Sequence, residues 1–216
     1  MKIGVIAGTP VDTRMGVNYV ESFGHSTVSR YSSPTPEIQT QMQVLHPREL
    51  TLQVTDLCNE MIDEGAEGIY LNCNSMAAAI DTQYLREHVA TPHIVTPFDV
   101  YKEAAGKYRR LCIIAANGQS LAAIEQAVYS ANPDCTAFGA SLLNLVAAIE
   151  KQREPAEIVK ELGIHKLMEA FDKMEPDALI LGCTHFPYIA GELEDVLTFP
   201  IIDPGFRMLK MLTEDQ

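Results

Sequence analysis

An α/β fold of two pseudo-symmetric lobes, each a parallel sheet flanked by helices, is predicted by three observations on this sequence. Short apolar runs that read as buried strands alternate with helical stretches along the chain, the pattern of parallel sheets with crossover helices. Three landmarks recur in the same order at nearly constant spacing: Leu111 to Asn117 echoes Ile3 to Thr9 at an offset of 108, Cys183 echoes Cys73 at 110, and Ile201-Ile202-Asp203-Pro204 echoes Ile94-Val95-Thr96-Pro97 at 107. Each of these two cysteines follows an apolar run, Glu67 to Leu71 before Cys73 and Asp177 to Leu181 before Cys183, and small hydrogen-bonding residues come next. Any α/β chain offers matched strands, but aligned cysteine turns argue for an internal duplication. Halves that fold alike and face each other would bring the two thiols together across one cleft, where the active site is expected.

At 216 residues the chain can bury a sizeable core, as one large domain or as two of about 100 residues. Hydrophobic and charged fractions of 47% and 21% are those of an ordinary globular protein rather than a disordered one. Sixteen basic residues against 29 acidic ones give a formal charge of −13, which argues against a nucleic-acid partner and for a self-repelling, soluble particle. An anionic substrate must then be attracted locally, by helix N-termini and by hydroxyl or amide donors. Lys2 is followed by only the short run Ile3 to Ala7 before Gly8-Thr9-Pro10, so no signal peptide is expected, and no stretch approaches a membrane span. The five cysteines, Cys58, Cys73, Cys112, Cys135 and Cys183, are odd in number, widely spaced and form no C-x-x-C. That pattern fits neither a disulfide framework nor a zinc site and fits a reducing cytoplasm.

Taken in order, Ile3 to Ala7 is a buried parallel strand leading into a loop that holds Asp12, Thr13 and Arg14. The apolar spacing suits a helix from about Met15 to Phe23, and Thr27 to Tyr31 reads as a second strand. Ser32-Ser33-Pro34-Thr35-Pro36 is the clearest long loop, placed to cover a site. A long helix runs from about Pro47 to Glu64, with Pro47 in its first turn and Gly65 ending it. The first cysteine strand follows, then a helical stretch from Ser75 to His88, a strand from Pro92 to Thr96 and a helix from Phe98 to Lys107. The pattern restarts at Arg110, with a helix around Gln119 to Tyr129, a strand around Thr136 to Phe138 and helices between Ser141 and Lys173. One helix, Phe206 to Leu212, remains at the end. The expected division is a first lobe over 1–105, a second over 106–204, and a segment 205–216 packing back on the first.

Ligands of parallel α/β sheets bind outside the C-terminal ends of the strands, and both Cys73 and Cys183 lie there. A thiol at the N-terminus of a following helix can have its pKa drawn from about 8.5 toward neutrality. Most lone cysteines are small buried hydrophobes, and Cys58, Cys112 and Cys135 are read that way. Two thiols held alike suit a different task, moving a proton from one face of a carbon to the other. Gly8-Thr9-Pro10 followed by Gly16 is neither a dinucleotide fingerprint nor a phosphate loop, so no cofactor is expected from this sequence, and no metal.

Cys73-Asn74-Ser75 resembles the cysteine-asparagine-threonine turn of the cofactor-independent aspartate/glutamate racemase superfamily, and Gly182-Cys183-Thr184-His185-Phe186-Pro187 resembles the second cysteine motif of glutamate racemases. Asp12-Thr13-Arg14-Met15-Gly16 is similar to their aspartate-serine-glycine loop. The resemblance implies catalysis by Cys73 and Cys183 as a two-base pair, with Asp12 assisting the first and His185 the second. It implies substrate contacts from Thr13, Asn74, Ser75 and Thr184. Those residues also suit plain helix capping, and Asp12 suits a loop or N-cap role. Two loops depart from the pattern. Arg14 stands in the first, and Ala116-Asn117-Gly118-Gln119-Ser120 replaces a threonine-rich second one, so Arg14, Asn117, Gln119 and Ser120 are candidates for reshaping side-chain recognition.

The expectation is therefore a cytoplasmic racemase independent of pyridoxal phosphate, acting on a small-molecule amino acid such as glutamate or aspartate, with no nucleic-acid or membrane partner and a homodimer open to it. A decarboxylase or isomerase of the same superfamily using one cysteine, or a two-lobed binding protein with structural cysteines, are the alternatives.

Overall fold

In the computed structural model, which describes residues 1–91 and 93–214, the chain divides into two compact units. Unit one is Met1–Asp99 together with the returning segment that begins at Gly205, and unit two is Val100–Pro204.

Unit one holds β1 (Lys2–Ala7), α1 (Pro10–Ser22), β2 (Ser26–Tyr31), α2 (Pro36–Leu45), α3 (Pro47–Asp63), β3 (Gly68–Leu71), α4 (Asn74–Ala79), α5 (Thr82–His88), β4 (Ile94–Val95) and the start of α6 (Pro97–Lys107). Its four strands lie in the order β2-β1-β3-β4, all parallel. Ile6, Ile69 and Leu71 from the sheet pack with Leu50, Val54, Cys58 and Met61 of α3 and Met76 of α4 into one buried cluster. Parallel strands covered by helices read as near-continuous apolar runs, which is why they were conspicuous in the sequence.

Unit two follows with β5 (Arg110–Ala115), α7 (Gly118–Ala131), β6 (Thr136–Ser141), α8 (Leu143–Glu150), α9 (Pro155–Glu161), α10 (Ile164–Asp172), β7 (Ala178–Gly182), a 3₁₀ turn (Phe186–Ile189), α11 (Ala190–Glu194) and β8 (Ile201–Ile202). The order β6-β5-β7-β8, again all parallel, repeats that of unit one. The repeat extends to register. Ile3 pairs with Gly68 where Leu111 pairs with Ala178, and Ile69 pairs with Ile94 where Leu179 pairs with Ile201. The final helix α12 (Pro204–Thr213) belongs to unit one from Gly205 onward, where the Tyr70 hydroxyl donates to the Gly205 carbonyl at 3.2 Å and Leu212 is fully buried.

Several elements differ from the sequence expectation. Asp12, Thr13 and Arg14 are not in a loop: α1 begins at Pro10, because the Thr9 hydroxyl caps it by accepting from the Asp12 N–H at 3.4 Å and proline suits a first turn. The loop after β2 is short, since Thr35 accepts from the Ile38 N–H and starts α2, a helix the sequence reading lacked. The stretch from Ser75 to His88 is two helices, split where Asp81 caps α5 by accepting from the Gln83 and Tyr84 N–H groups. The strand expected over 92–96 is Ile94–Val95 only, with Pro92 outside the described residues, and β6 runs on to Ser141. Among the described residues no helix is long and apolar enough to cross a membrane.

Candidate active site

In unit one, β3 delivers Cys73 to the C-terminal edge of the sheet. The Asn72 N–H continues the ladder by donating to the Ile6 carbonyl at 2.8 Å, and Cys73 then sits in extended backbone as the N-cap residue of α4. Only 5% of Cys73 is exposed. Burial pushes its thiol up, the Asp12 carboxylate pushes it further, and the Ser75 hydroxyl with the Met76 and Gly8 N–H groups opposes both. The expected drop toward neutrality is therefore reversed in this environment. A six-residue helix supplies little field, and removing a thiolate from water costs more than that field returns.

Two side chains lie within hydrogen-bonding distance of the sulfur. Gln39 Nε2 lies 3.4 Å from Cys73 Sγ and 3.4 Å from Ser75 Oγ, and Ser75 Oγ is 3.5 Å from the sulfur. Gln43 Nε2 donates to Ser75 Oγ at 3.1 Å. Asp12 is held behind them, with its carbonyl accepting from Asn72 Nδ2 at 3.4 Å. Asn74 is buried in the first turn of α4. Thr13 is buried too, but its hydroxyl proton goes to main-chain carbonyls, Thr9 at 2.8 Å or Arg30 at 3.3 Å. Arg14 is exposed on α1.

In unit two, β7 delivers Cys183 in the matching position. It is 6% exposed, and its sulfur is 3.6 Å from Nδ1 of the equally buried His185. The other ring nitrogen, Nε2, lies 3.5 Å from Glu150 Oε1 at the end of α8. Imidazole and thiol are thus placed to share a proton, with the carboxylate at ion-pair distance from the far side of the ring. Thr184 is half-buried between the cysteine and the histidine. Asn117 caps α7 by accepting from the Ser120 N–H at 2.8 Å, the counterpart of Thr9 and Asp12 in unit one, and Ser120 is buried.

The structure therefore gathers Asp12, Cys73 and Ser75 in one group and Cys183 with His185 in another. Sequence reasoning missed Gln39, Gln43 and Glu150. The first two sit on the missed helix, whose signal was Thr35 followed by a first-turn proline and Glu37. Glu150 carried no local signal.

The family description Asp/Glu/Hydantoin racemase matches residues 36–206. The chain belongs to the Asp/Glu/Hydantoin racemase family. Among curated members, the glutamate racemase of Latilactobacillus sakei is 25% identical over 163 residues, covering 73% of this chain and 59% of that protein. The glutamate racemase of Desulforudis audaxviator is 26% identical over 150 residues, 67% of this chain and 54% of that one. The matches thus span little more than half the length of these curated relatives. Among racemase-family structures, a Francisella tularensis glutamate racemase in complex with D-glutamate superposes with a TM-score of 0.73 at 19% identity, covering 98% of this chain and 79% of that one. The Picrophilus torridus aspartate racemase superposes at 0.70 with 16% identity, covering 99% and 93%. At these identities the superpositions establish the family fold.

Proposed function

We propose that the chain is an amino-acid racemase that works without a cofactor, with an acidic amino acid such as glutamate or aspartate as substrate and Cys73 and Cys183 as its two acid/base groups. The observation that carries this reading is the matched placement of the two thiols. Each leaves the third strand of an equivalent parallel sheet, each is nearly buried, and each has an ionisable companion, Asp12 for Cys73 and His185 for Cys183. Curated relatives named glutamate racemase and the fold shared with a racemase that binds D-glutamate support the substrate class.

In one direction a Cys73 thiolate removes the α-proton, the C–H electron pair stays on Cα, and the Cys183 thiol supplies a proton to the opposite face. The reverse reaction exchanges the two roles. The resting state on the Cys73 side is the thiol, because burial and Asp12 both disfavour the anion. A bound α-ammonium group, being an opposite charge close by, would favour the thiolate and so make the base available only with substrate present. Asn74, Ser75 and Thr184, which flank the thiols, and Thr13, Arg14, Asn117 and Ser120, near the starts of α1 and α7, are assigned to substrate contacts. Of these, Arg14 alone carries a cation and suits a second carboxylate.

Proton exchange at Cα in heavy water tests the proposal, using both enantiomers of glutamate, aspartate and several neutral amino acids. The parent protein should exchange and racemise an acidic amino acid. Cys73→Ala and Cys183→Ala should each lose racemisation by at least about a thousandfold, and the serine variants nearly as much, because a hydroxyl is a far weaker acid than a thiol. Full racemisation by either alanine variant would refute the two-base assignment.

A further inference from the structure

We propose that Gln39 is a positioning residue for Cys73, donating an amide N–H to its sulfur and keeping the thiolate accessible in a buried, acidic environment. The inference rests on the assignment of Cys73 as an acid/base group and adds α2 to the machinery that governs it. Three observations converge. First, Nε2 of Gln39 is 3.4 Å from both Cys73 Sγ and Ser75 Oγ, and an amide nitrogen carries two hydrogens, one for each.

Second, the network has a direction. Ser75 Oγ accepts from Gln43 at 3.1 Å and from Gln39, so its own single proton is left for the sulfur at 3.5 Å. Gln39 directly, and Gln43 through Ser75, then direct protons toward Cys73. That arrangement favours the anion over the thiol, against the burial and the Asp12 charge that favour the thiol.

Third, Gly8 makes room for the amide. A Cβ on Gly8 would lie 2.0 Å from Gln39 Nε2, 2.3 Å from Cδ and 2.6 Å from Oε1, so the amide lies flat on the glycine whose own N–H also reaches the sulfur. Among the residues of α2 whose burial is described, Gln39, Met42 and Gln43 are partly buried, spaced i, i+3, i+4, so this inward face carries two amides beside one methionine. The face is built around a polar target, and that target is the Cys73–Ser75 pair.

The test is the pH profile of iodoacetamide labelling at Cys73, read peptide by peptide, in the parent, Gln39→Glu, Gln39→Ala and Gly8→Ala proteins. The midpoint of the profile reports the thiol's pKa, while the plateau absorbs any change in access. Gln39→Glu places an acceptor and a charge beside the sulfur in the same volume. It should raise the midpoint by about one pH unit, a tenfold loss of labelling on the rising limb. Gln39→Ala and Gly8→Ala should raise it by less and in the same direction. Cys183 in the same samples should keep its parent profile. An unchanged Cys73 midpoint in Gln39→Glu overturns the proposal, as does an equal shift at Cys183, which would mean general disturbance of the fold. If the parent protein exchanges no Cα proton of any amino acid, the proposed activity fails, while the midpoints still decide the role of Gln39.

Discussion

Glu150 reaches His185 from the last turn of α8, with Oε1 3.5 Å from Nε2, while Nδ1 of the same ring faces the Cys183 sulfur. A carboxylate near one nitrogen sets up a charge on that side of the ring, while the other nitrogen faces the thiol. The carboxylate is half exposed and the contact is long, so solvent screens it. Glu150→Gln keeps the shape and removes the charge, and under the proposed racemase activity it should lower kcat/KM on the proposed acidic substrate by up to about tenfold, mainly through kcat. Steady-state kinetics on both enantiomers checks this, and a fall confined to KM would show that Glu150 binds substrate instead. At this scale the sequence exposed the residues next to the cysteines, because motif spacing holds them together. It hid Gln39, Gln43 and Glu150, because they come to the sulfur or the imidazole only through folding.

The strands and long helices were readable because burial on one or both faces imposes a periodic apolar pattern. Helix α2 escaped for the opposite reason: its partly buried residues include Gln39 and Gln43, while Ile38, Val44 and Leu45 are exposed. The split between α4 and α5 escaped because Ile80 is buried and keeps the apolar pattern going across the break, and only the Asp81 cap marks it. A glycine inside β6 has a structural cause of the same kind. Gly139 pairs with Ile113, and a Cβ there would sit 2.2 Å from the Ile113 carbonyl oxygen and 2.9 Å from Leu121 Cδ1. The side chain of Leu121 can turn aside, but the carbonyl belongs to β5, an interior strand paired on both sides, and cannot. Gly139→Ala should therefore destabilise the protein by about 1–3 kcal/mol, the usual scale of overpacking. A lower urea midpoint at unchanged m-value is the expected result, and an unchanged midpoint would show that β6 moves away freely.

Across the whole molecule, the offsets of 108, 110 and 107 between sequence landmarks reappear as the offsets between paired residues of the two sheets, so the duplication was legible as geometry before any coordinate. What spacing could not show was the electrostatic environment inside each unit. Both units bury a cysteine in apolar surroundings away from the candidate site, Cys58 in α3 and Cys112 in β5. Burial pushes each thiol from the ordinary 9.0 up to about 12. In the unfolded chain these thiols ionise from about pH 9, whereas the folded protein keeps them protonated until about 12. The folded state then binds more protons than the unfolded one, so stability is fully present below about pH 9 and falls as pH rises toward 12. Each thiol can contribute at most about 1.4 kcal/mol per pH unit in that window. Other groups can change charge over so wide a pH range, so the comparison has to be between proteins rather than between pH values alone. Cys58→Ala and Cys112→Ala will each cost stability at pH ~7.5 through the lost sulfur, and that cost should shrink by about 1 kcal/mol when the urea unfolding is repeated at pH ~10. A cost independent of pH would mean that the two sulfurs ionise alike in the folded and unfolded chains, and that burial does not govern them.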